Sequence, residues 1–383
     1  MKVLFISAWY PNRYDEMAGL FVRKHAQAVS QFCEVEVLYI HPSTDINRFE
    51  ISTNKIANVN ETIVYFPAKS NNIAQKLIKQ LNYLTAYYKG WQHLKKNGFI
   101  PDILHANVLT RTGLMAFLIK LITGIPYVLT EHWSRYLTGN QAFDHLADKW
   151  IAKKTVSNAS AVMPVSRLLM NGMLMNDLKN TNYKIVNNVV DENFYSDSSK
   201  IHFPKIQILH VSCFDNQSKN ITGMLRALKE LTNQRFDFEV DIVGSGHDFE
   251  MAVELFHKLN FPKNTIRFSG EVTPDQVAAK FRNSDIFVLF SNYETAAVVI
   301  AESLVSGVPV VSTEVGIASE YIDDSNGILI KPGDEKALTE ALNFMIDNIG
   351  KYDQNSIKAK FRGIFSYENI GRSICNIYQN ILS

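Results

Sequence analysis

Two glutamates stand eight residues apart in the otherwise small and apolar stretch SNYETAAVVIAESLVSGVPVVSTEVG, residues 291–316. The preceding run DIFVLF (285–290) predicts a buried strand, and residues 295–306 predict a helix. Glu294 is therefore expected on the loop at the carboxyl end of a strand, and Glu302 on the helix that follows. Carboxylates in these two positions are suited to binding hydroxyl groups.

The start of this helix predicts an anion site. Thr295, Ala296 and Ala297 would present free backbone N–H groups there, and the aligned peptide dipoles favour a group such as a phosphate. At about 1.5 Å of rise per residue, Glu302 would lie roughly 7 to 8 Å beyond Ala297. That offset suits a nucleoside ribose whose phosphates lie at the helix tip. Glu302 would then bind the ribose, and Glu294 would bind a sugar beyond the phosphates.

Length and composition indicate a two-domain globular protein. The 383 residues exceed the usual size of one hydrophobic core and predict two domains of roughly 150 to 200 residues each. Hydrophobic residues make up 46% and charged residues 20% of the chain, as in ordinary globular proteins. The formal charge of +1 is too balanced for a general attraction to nucleic acid, so we expect no nucleic-acid partner.

Cysteine usage and hydropathy predict a cytoplasmic protein. Cys33, Cys213 and Cys375 are odd in number, far apart and without a C-x-x-C pair, which argues against a disulfide framework and a zinc site. The most apolar window, LMAFLIKLITGIPYVL, is interrupted by Lys120 and Gly124 and falls short of the roughly 18 uncharged residues of a membrane-spanning helix. We therefore expect no membrane span.

Short runs rich in valine and isoleucine alternate with helix-length segments and predict buried strands. The first set is VLFISA (3–8), VEVLYI (35–40), TIVYFP (62–67), DILHANV (102–108), YVLTEH (127–132) and AVMPVS (161–166). The polar SDSSK (196–200) predicts a linker. The second set is QILHVS (207–212), FEVDIVG (238–244), TIRFSG (265–270), DIFVLF (285–290), PVVST (309–313) and GILI (327–330). Two such series predict two doubly wound α/β domains with mainly parallel sheets, whose ligands bind beyond the carboxyl ends of the strands.

These segments together resemble a known enzyme family. The stretch around Glu294 and Glu302 is similar to the E-x7-E signature of the family 4 glycosyltransferases, and the similarity continues through GVPVVSTEVG and NGILIKPGD. VGSGHD, IRFSGEV, VMPVS, NNVVD and PDILHANV…GIPYVLTEH also resemble family segments in the family's order. The resemblance covers nearly the whole chain. It implies a retaining enzyme of the GT-B fold, with two Rossmann-like domains facing across a cleft.

The resemblance assigns roles residue by residue. Glu294 would contact hydroxyl groups of the donor sugar, and Glu302 those of the ribose. Lys219, in VSCFDNQSKN, matches a lysine that meets the donor's diphosphate. His132, in TEHW, matches a strand-end histidine that faces the donor sugar. Gly19, in MAGLFVRKHA, matches a glycine turn that lets the backbone approach the diphosphate.

The chemistry of the leaving group supports these roles. Breaking the bond to a nucleoside diphosphate builds negative charge on phosphate, which without a metal needs an ammonium and oriented N–H donors. Lys219 and the helix tip formed by residues 295–298, which includes Val298, would supply both. We therefore expect Glu294, His132 and Lys219 to be catalytic, with no metal and no cofactor besides the nucleotide-sugar co-substrate. Asp323-Asp324, in YIDDSNG, is typical of a surface turn and predicts no metal site.

Three positions depart from the family pattern. Ser212-Cys213-Phe214 stands where the family has an arginine before the lysine, so one cation for the leaving group is missing. Thr295-Ala296-Ala297 replaces a Gly-Phe-Gly, which removes tolerance for unusual backbone angles. Val189 replaces a glycine. These departures indicate a divergent subfamily, and a weakened enzyme is the alternative.

Structural interpretations of the same residues stay open. Glu302 could be a solvated helix position, His132 a satisfied core histidine and Lys219 an exposed lysine, although the helix dipole opposes a lysine at a helix start. Gly244-Ser245-Gly246 predicts a tight strand–helix turn rather than a dinucleotide fingerprint, because Phe249 occupies the third glycine position. His25, His105 and His210 are expected to be structural.

One amphipathic segment bears on partners. In NIAQKLIKQLNYLTAYYKGWQHLKKNG, an apolar row lies on one helical face, and Lys76, Lys79, Lys95 and Lys96 lie outside it. The apolar row is Ile73, Leu77, Leu81, Leu84, Tyr88 and Trp91. We expect such a helix to bury this row on its own sheet. The second interpretation is peripheral membrane contact, in which Trp91 and the lysines meet anionic headgroups.

The sequence therefore predicts a cytoplasmic glycosyltransferase that moves a sugar from a nucleoside-diphosphate sugar to a glycan or lipid-linked acceptor. Residues 1–190 would form the acceptor-side domain and residues 201–366 the donor domain, with a crossover helix from about 367 to 383 returning to the first. The process expected is assembly of a cell-surface polysaccharide or glycolipid. Two other functions stay open: a hydrolysing nucleotide-sugar epimerase, and a catalytically silent nucleotide-sugar-binding subunit suggested by Cys213.

Overall fold

The computed structural model describes residues 1–68, 73–137, 146–196 and 200–383. The chain divides into two compact units, each with its own sheet. Unit 1 comprises residues 1–165, 169–189 and 367–383, and unit 2 comprises residues 166–168 and 190–366. Most of the predicted linker, residues 197–199, lies outside the described residues.

The sheet of unit 1 has, in the described residues, the order β3-β4-β2-β1-β5-β6-β7. Its pairs are parallel except for the antiparallel pair of β3 and β4. The strands are β1 (Lys2–Ser7), β2 (Glu34–Ser43), β3 (Glu50–Ile56), β4 (Val59–Pro67), β5 (Ile103–Asn107), β6 (Tyr127–Glu131) and β7 (Ala161–Pro164).

The sheet of unit 2 is parallel throughout its described strands, in the order β10-β9-β8-β11-β12-β13. The strands are β8 (Ile206–Val211), β9 (Phe238–Val243), β10 (Ile266–Gly270), β11 (Ile286–Leu289), β12 (Val310–Thr313) and β13 (Gly327–Ile330). This is the doubly wound order in which the chain reverses its direction of travel between the first and fourth strands, here β8 and β11. Loops that leave the carboxyl ends of these two strands meet at the reversal point, where such folds bind ligands.

Helices connect the strands in both units. In chain order the described helices are α1 (Leu20–Val29), α2 (Ile73–Lys96), α3 (Leu114–Thr123), α4 (Leu146–Asn158), α5 (Arg167–Met175), α6 (Asn216–Lys219), α7 (Ile221–Thr232), α8 (Phe249–Leu259), α9 (Pro274–Arg282), α10 (Val298–Val305), α11 (Ala318–Tyr321), α12 (Glu335–Asp347), α13 (Gln354–Phe361) and α14 (Tyr367–Leu382). The prediction of two doubly wound α/β domains is confirmed, because both sheets are mainly parallel and helices link their strands.

All twelve predicted strands are present, but the sequence analysis missed β3. Its sequence, EISTNKI, lacks an apolar face, and six of its seven residues are exposed. The strand is formed by antiparallel pairing along its whole length with the buried β4, to which residues Ala57 and Asn58 connect it. Hydrophobic pattern alone does not indicate such an edge strand, because backbone hydrogen bonds rather than burial hold it.

The C-terminal helix α14 is part of unit 1 and packs against α1. Cys375 on α14 lies against Cys33, just after α1, with 3.2 Å between the two sulfur atoms. Tyr378 on the same helix forms a 2.5 Å hydrogen bond through its hydroxyl group to Nδ1 of the buried His105. Two cysteines that are 342 residues apart in the sequence are therefore neighbours in the fold, which their spacing did not indicate.

The expected burial of the apolar row of α2 is wrong. Leu77, Leu81 and Tyr88 each expose more than 60% of their surface, and Leu84 exposes 49%. The helix instead buries a row that contains Ala86, Tyr87, Gly90 and Leu94. Gly90 has no side chain between the helix and Leu38 and Val64 of the sheet, so the helix packs closely there and this row, not the predicted one, forms the inward face. The side chain of Ile73 lies outside the described residues.

A search of the described residues for a helix long and apolar enough to span a bilayer finds none. The apolar segment around α3 is correspondingly short: the helix has ten residues and ends at Gly124, which takes a left-handed conformation.

Candidate functional site

The loops after β8 and β11 are joined by hydrogen bonds at the reversal point of the second sheet. Backbone N–H of Asn292 donates to the carbonyl of Ser218 over 2.7 Å, and its side-chain amide donates to the carbonyl of Gln217 over 2.9 Å. Both acceptors belong to α6, the short helix after β8. These bonds hold the end of α6, which carries Lys219, beside the loop that carries Glu294.

Lys219 and Glu294 form an ion pair that is largely shielded from water. The Lys219 ammonium donates to Glu294 Oε1, and the two side chains expose 16% and 12% of their surface. The buried hydroxyl of Ser291 donates to the same carboxylate oxygen over 2.9 Å. Burial lowers the pKa of Lys219, but the charge of Glu294 and the hydrogen bond to it outweigh burial, so this pKa lies above its ordinary value. The lysine therefore stays protonated and is held in place by this carboxylate.

The helix that carries Glu302 begins later than predicted. Residues Thr295 to Ala297 were expected in its first turn, but α10 starts at Val298, and Ala297 is the residue before it. The carbonyl of Ala297 already accepts the N–H of Ile300. The first N–H groups of this helix, which have no partner within the helix, are consequently those of Val298 and Val299.

Ala297 takes a left-handed conformation, with φ 56 and ψ 60. This is a backbone region that glycine enters freely and that costs an alanine roughly 1 kcal/mol or more. Ala296 is held next to it, because its carbonyl accepts the N–H of Ile317 over 3.0 Å. Gly316, at φ 55, packs against that same carbonyl, and a Cβ there would lie 2.6 Å from it. The replacement of Gly-Phe-Gly therefore preserves the left-handed turn at the cost of backbone strain.

Glu302 and Cys213 lie on the elements that the sequence predicted. Glu302 is partly buried in the second turn of α10. Cys213 is exposed just beyond the carboxyl end of β8, and its thiol is close enough to influence the pKa of Lys219. A cysteine side chain thus occupies the position where a second cation was expected.

Three potential metal ligands lie close to this loop and were missed in the sequence. One ligand atom each from Asp215, His247 and Asp248 lie within 4.8 Å of one another. Both carboxylates already accept hydrogen bonds that shape the loop: Asp215 from the N–H of Gln217, and Asp248 from the N–H of Asn216 over 2.7 Å. These contacts explain the presence of both carboxylates, because each one caps backbone N–H groups of the helix or loop. Asp323, by contrast, accepts bonds from Ser325 and Lys360 in an exposed turn, as its sequence predicted.

The turn at residues 244–246 has a structural function. The carbonyl of Ser245 accepts the N–H of Phe214 over 2.9 Å, and Asp248 N donates to the carbonyl of Phe214 over 3.1 Å. The turn after β9 therefore supports the loop that leads to Lys219. His210 is a satisfied core histidine, since its Nδ1 donates to the Val288 carbonyl and its Nε2 accepts from Ser212.

In unit 1, Gly19 forms the left-handed turn before α1, with φ 61. A Cβ at this position would lie 2.2 Å from the carbonyl oxygen of Trp9. The loop between β1 and α1 is fixed further by the buried Glu61, which accepts hydrogen bonds from Tyr10 and Arg23. Glycine is therefore required for this chain's own backbone packing, whatever ligand the turn approaches.

His132 lies directly after β6, as predicted, and is 7% exposed. Its ring packs 4.4 Å from Phe21 and 5.6 Å from His25, measured between ring centroids. Among the described residues, neither ring nitrogen has a hydrogen-bond partner. Burial, with the nearby His25 and His105, holds the pKa of His132 well below its ordinary value. His132 is therefore a buried neutral imidazole, and it differs from His105, whose two ring nitrogens both form hydrogen bonds.

The neighbouring Glu131 is a residue that the sequence analysis missed. It is fully buried, and its two carboxylate oxygens accept three backbone N–H groups at 2.8 Å, those of Leu109, His132 and Trp133. Burial raises the pKa of Glu131 to about 7, although these hydrogen bonds oppose the shift. The carboxylate ties the loop after β5 to the loop that carries His132. An acid at the last position of a buried strand, in YVLTEH, was the available signal.

Sequence comparisons identify relatives of this chain. Residues 191–361 match the family model described as Glycosyl transferases group 1. An uncharacterized glycosyltransferase of Methanocaldococcus jannaschii is 25% identical over 308 residues, which cover 80% of this chain and 83% of the relative. N-acetyl-alpha-D-glucosaminyl L-malate synthase of Bacillus anthracis is 25% identical over 297 residues, 70% of this chain and 74% of the enzyme.

The fold is shared with solved structures. HepE of Anabaena in complex with UDP superposes with a TM-score of 0.75 over 99% of this chain and 100% of that one, at 17% identity. The predicted GT-B fold class, with two Rossmann-like domains, is confirmed. The resemblance to glycosyltransferases is confirmed at the level of group 1, and the assignment to family 4 stays a prediction consistent with these matches.

The buried histidines predict that the fold is destabilised by acid. Burial lowers the pKa of His25 to about 4 and that of His210 to about 4, from an ordinary value of 6.5. The histidines of the unfolded chain therefore bind protons at a pH at which those of the folded chain do not. Their contribution to the stability of the fold is complete above pH 6.5 and is lost as the pH falls from 6.5 toward 4. Glu131 opposes this trend, because its raised pKa favours the folded state at low pH. Among the described residues, the fully buried histidines with lowered pKa values outnumber the fully buried glutamates with raised ones. We therefore expect the melting temperature to fall as the pH is lowered.

The measurement is thermal unfolding across this pH range for the protein and for His25→Gln, with His202→Gln as the matched control, because His202 is exposed. His25→Gln should flatten the pH dependence, and His202→Gln should leave it unchanged. A melting temperature that stays constant or rises on acidification would contradict the analysis.

Proposed function

We propose that the protein is a group 1 glycosyltransferase that transfers a sugar from a nucleoside-diphosphate sugar to a glycan or lipid-linked acceptor with retention of configuration. The observation that carries the proposal is the Lys219–Glu294 pair at the reversal point of a parallel sheet, beside the start of α10. Retention is what the resemblance to family 4 implies. The process proposed is cell-surface polysaccharide or glycolipid assembly.

Unit 2 supplies the groups that a departing diphosphate needs. Lys219 offers a shielded ammonium, and the free N–H groups of Val298 and Val299 point from the start of α10. Both stabilise negative charge, and both are fixed before a ligand arrives, so little reorganisation accompanies the reaction. Glu302 lies one turn further along the helix, where it would accept hydrogen bonds from the hydroxyl groups of a ribose.

Glu294 has two functions in this proposal. In the unliganded chain it neutralises Lys219, whose ammonium would otherwise be a buried, uncompensated charge. When a donor binds, the diphosphate takes over part of that neutralisation, and the carboxylate becomes available to hydroxyl groups of the transferring sugar. Glu294 therefore couples occupation of the diphosphate site to the orientation of the sugar.

His132 acts as a neutral hydrogen-bonding group in unit 1. Its pKa is held well below the ordinary value by burial, so it adds no positive charge to the site. The resemblance places this histidine toward the donor sugar, and two ring nitrogens without partners among the described residues are consistent with a ligand role. Gly19 contributes the backbone turn on the same side of the sheet.

The exposed helices of unit 1 favour a membrane-bound acceptor. α2 and α3 follow crossovers in the same direction along the sheet and therefore lie on one face of it. They expose Leu77, Ile78, Leu81, Leu84 and Tyr88 on α2, and Leu118, Leu121 and Ile122 on α3. The sequence from 62 to 101 contains lysines but no aspartate or glutamate. Exposed apolar residues and lysines on the same face of the sheet match an anionic lipid surface, so we include peripheral binding to the cytoplasmic leaflet in the proposal.

A catalytically silent nucleotide-sugar-binding subunit is the second candidate. The observation that favours it is the exposed Cys213, which stands where the resemblance implies an arginine. Lys219 would then have to stabilise the leaving group without that second cation. Tight binding of a donor without turnover, in the presence of membrane extracts that contain acceptor, would support this candidate over the enzyme.

Binding to lipid vesicles tests the membrane part of the proposal. The protein should sediment with vesicles that contain anionic lipid and not with neutral ones, and high salt should weaken the binding because it screens the lysines. Leu81→Ser, on α2, should reduce it. The matched control is Phe236→Ser, since Phe236 is exposed to a similar extent, 67% against 63%, but lies in unit 2. Equal effects of the two substitutions, or no preference for anionic lipid, would count against this docking surface.

Removal of divalent ions tests the electrostatic mechanism. If Lys219 and the start of α10 stabilise the leaving group, activity should persist in EDTA. Asp215→Asn serves as a second arm, because it removes one of the three clustered potential ligands. Loss of activity in EDTA that magnesium or manganese restores would overturn the metal-free mechanism and assign the Asp215, His247 and Asp248 cluster a binding role.

Alanine substitutions separate the two glutamates. Glu302→Ala should weaken free nucleoside diphosphate and raise the donor KM, because the ribose changes little during the reaction. Glu294→Ala should lower kcat with little loss of nucleoside diphosphate affinity, because the diphosphate replaces the missing partner of Lys219. The measurements are calorimetric binding and steady-state kinetics.

Both variants must first give the wild-type circular dichroism spectrum, since Glu294→Ala leaves a buried lysine unpaired. If nucleoside diphosphate binds both variants equally well, or loses affinity only in Glu294→Ala, the assignment of sugar and ribose to these carboxylates is wrong.

A further inference from the structure

A cavity of about 330 Å³ opens in unit 1 beside the loop that carries His132. Its walls come from three segments: the turn after β5, the loop after β6 and helix α4. The residues used below are Arg111, Trp133, Arg135 and Asp148. The volume is that of a small-molecule site rather than of a packing defect.

The turn that forms one wall has an unusual backbone. Val108 has φ 71, a region that a β-branched residue seldom enters, and Leu109–Gly113 forms a single turn of π-helix. Such features concentrate at functional sites, because the surrounding structure must hold them. Here the holding group is Glu131, which accepts the N–H of Leu109 on this wall and that of Trp133 on the opposite one. The two walls are thus fixed relative to each other by one buried carboxylate.

The charge of the cavity is positive. Arg111 is exposed on the π-helical turn and, within the described ranges, forms no ion pair; its guanidinium lies 5.9 Å from the ring of Tyr83. Arg135 is 7% exposed and lies 4.7 Å above the ring of Trp133. Asp148 offsets part of this charge, but its carboxylate is 3.5 Å from Arg135 and half-exposed. The described lining of the cavity therefore contains two guanidinium groups and one carboxylate.

We propose that this cavity binds an anionic group of the acceptor, a phosphate or a carboxylate, with Arg111 as its principal partner. The term acceptor rests on the proposed glycosyl transfer. Binding of an anion in the cavity does not depend on it and can be tested without turnover. Arginine presents a planar pair of donors that matches both groups. Trp133 lines the cavity and directly follows His132 in the sequence. A molecule whose anionic group binds here would therefore have its other part near the histidine.

Aromatic residues extend from the cavity toward the neighbouring loop. Trp9, after β1, packs edge-on against Trp133 with 5.5 Å between ring centroids, and Phe21 packs against His132. Such rings give the apolar faces of a sugar a surface on which to lie, while the arginines fix the charged end. The acceptor class indicated is therefore a sugar or polyol that carries a negative charge close to its reacting hydroxyl.

The test uses the indole N–H signals of the four tryptophans in the NMR spectrum of the whole protein. The signal of Trp133 is assigned with Trp133→Phe, and Trp91 on α2 serves as an internal reference. Inorganic phosphate and malonate are titrated separately into the protein, into Arg111→Gln and into Arg48→Gln. Arg48 is the matched control because it is an exposed arginine of the same unit outside the cavity lining.

Either anion should shift the Trp133 signal saturably in the wild type and in Arg48→Gln. Arg111→Gln should bind about ten- to a hundredfold more weakly, the effect of removing a charged hydrogen bond. Tighter binding of phosphate indicates a phosphate-bearing acceptor, and tighter binding of malonate a carboxylate. An unmoved Trp133 signal with both anions, or equal affinity in Arg111→Gln and the wild type, would overturn the proposal.

The same spectra separate this inference from the proposed function. Phosphate can also meet Lys219 in unit 2, so the titration is repeated with Lys219→Gln, which should leave the response of Trp133 intact. If the anion binds beside Trp133 but no nucleoside diphosphate binds the protein, the glycosyl-transfer proposal fails and the anion site stands. If nucleotide binds and the anion does not, only the cavity proposal fails.

Discussion

The shielded ion pair between Lys219 and Glu294 is the interaction on which the donor unit depends. Neither charge could remain there alone, because removing one partner of a buried pair leaves the other without compensation. The pair forms because the sheet order places the ends of β8 and β11 side by side, and because Asn292 donates two hydrogen bonds to α6. Sheet topology, loop hydrogen bonds and electrostatics therefore all contribute to placing this pair at the reversal point of the sheet, where doubly wound folds bind ligands.

Unit 1 is organised around a different buried acid. The carboxylate of Glu131 accepts hydrogen bonds from three backbone N–H groups. Those bonds position His132 and fix the strained turn at Val108. The neighbouring imidazoles stay neutral because burial lowers their pKa values. Unit 2 thus has a shielded ion pair at the ends of its central strands, and unit 1 has buried neutral imidazoles held by a backbone-bonded carboxylate.

The sequence predicted the parts of the fold that burial dictates. Runs such as VLFISA and DIFVLF can be satisfied only inside a sheet, so every predicted strand was found. It missed β3, because backbone pairing with β4 rather than hydrophobicity holds that edge. It placed the start of α10 three residues early, since no local signal announces the left-handed Ala297. The leucines of α2 were expected to be buried, but periodicity identifies an apolar face without saying whether the sheet or another surface covers it.

The positions of the candidate site residues were predictable in part. Motif spacing named Glu294, Glu302, Lys219, Gly19 and His132, and the structure places each of them at a strand end or in a helix or its cap, while their roles stay predictions. Glu131, Arg111 and Arg135 were missed, since their importance comes from contacts between loops that are distant in sequence. A buried carboxylate that binds only backbone N–H groups leaves little trace in a single sequence beyond an acid at a strand end.

The central claim is that unit 2 binds a nucleoside diphosphate through Lys219. The most direct measurement is a thermal-shift screen of the whole protein with UDP, GDP, ADP and their sugars, compared with Lys219→Gln. A ligand at one hundred times its Kd should stabilise the native state by about 2.7 kcal/mol. The account predicts that one nucleotide raises the melting temperature and that Lys219→Gln abolishes most of the shift. No shift with any of these nucleotides, or the same shift in Lys219→Gln, would contradict it.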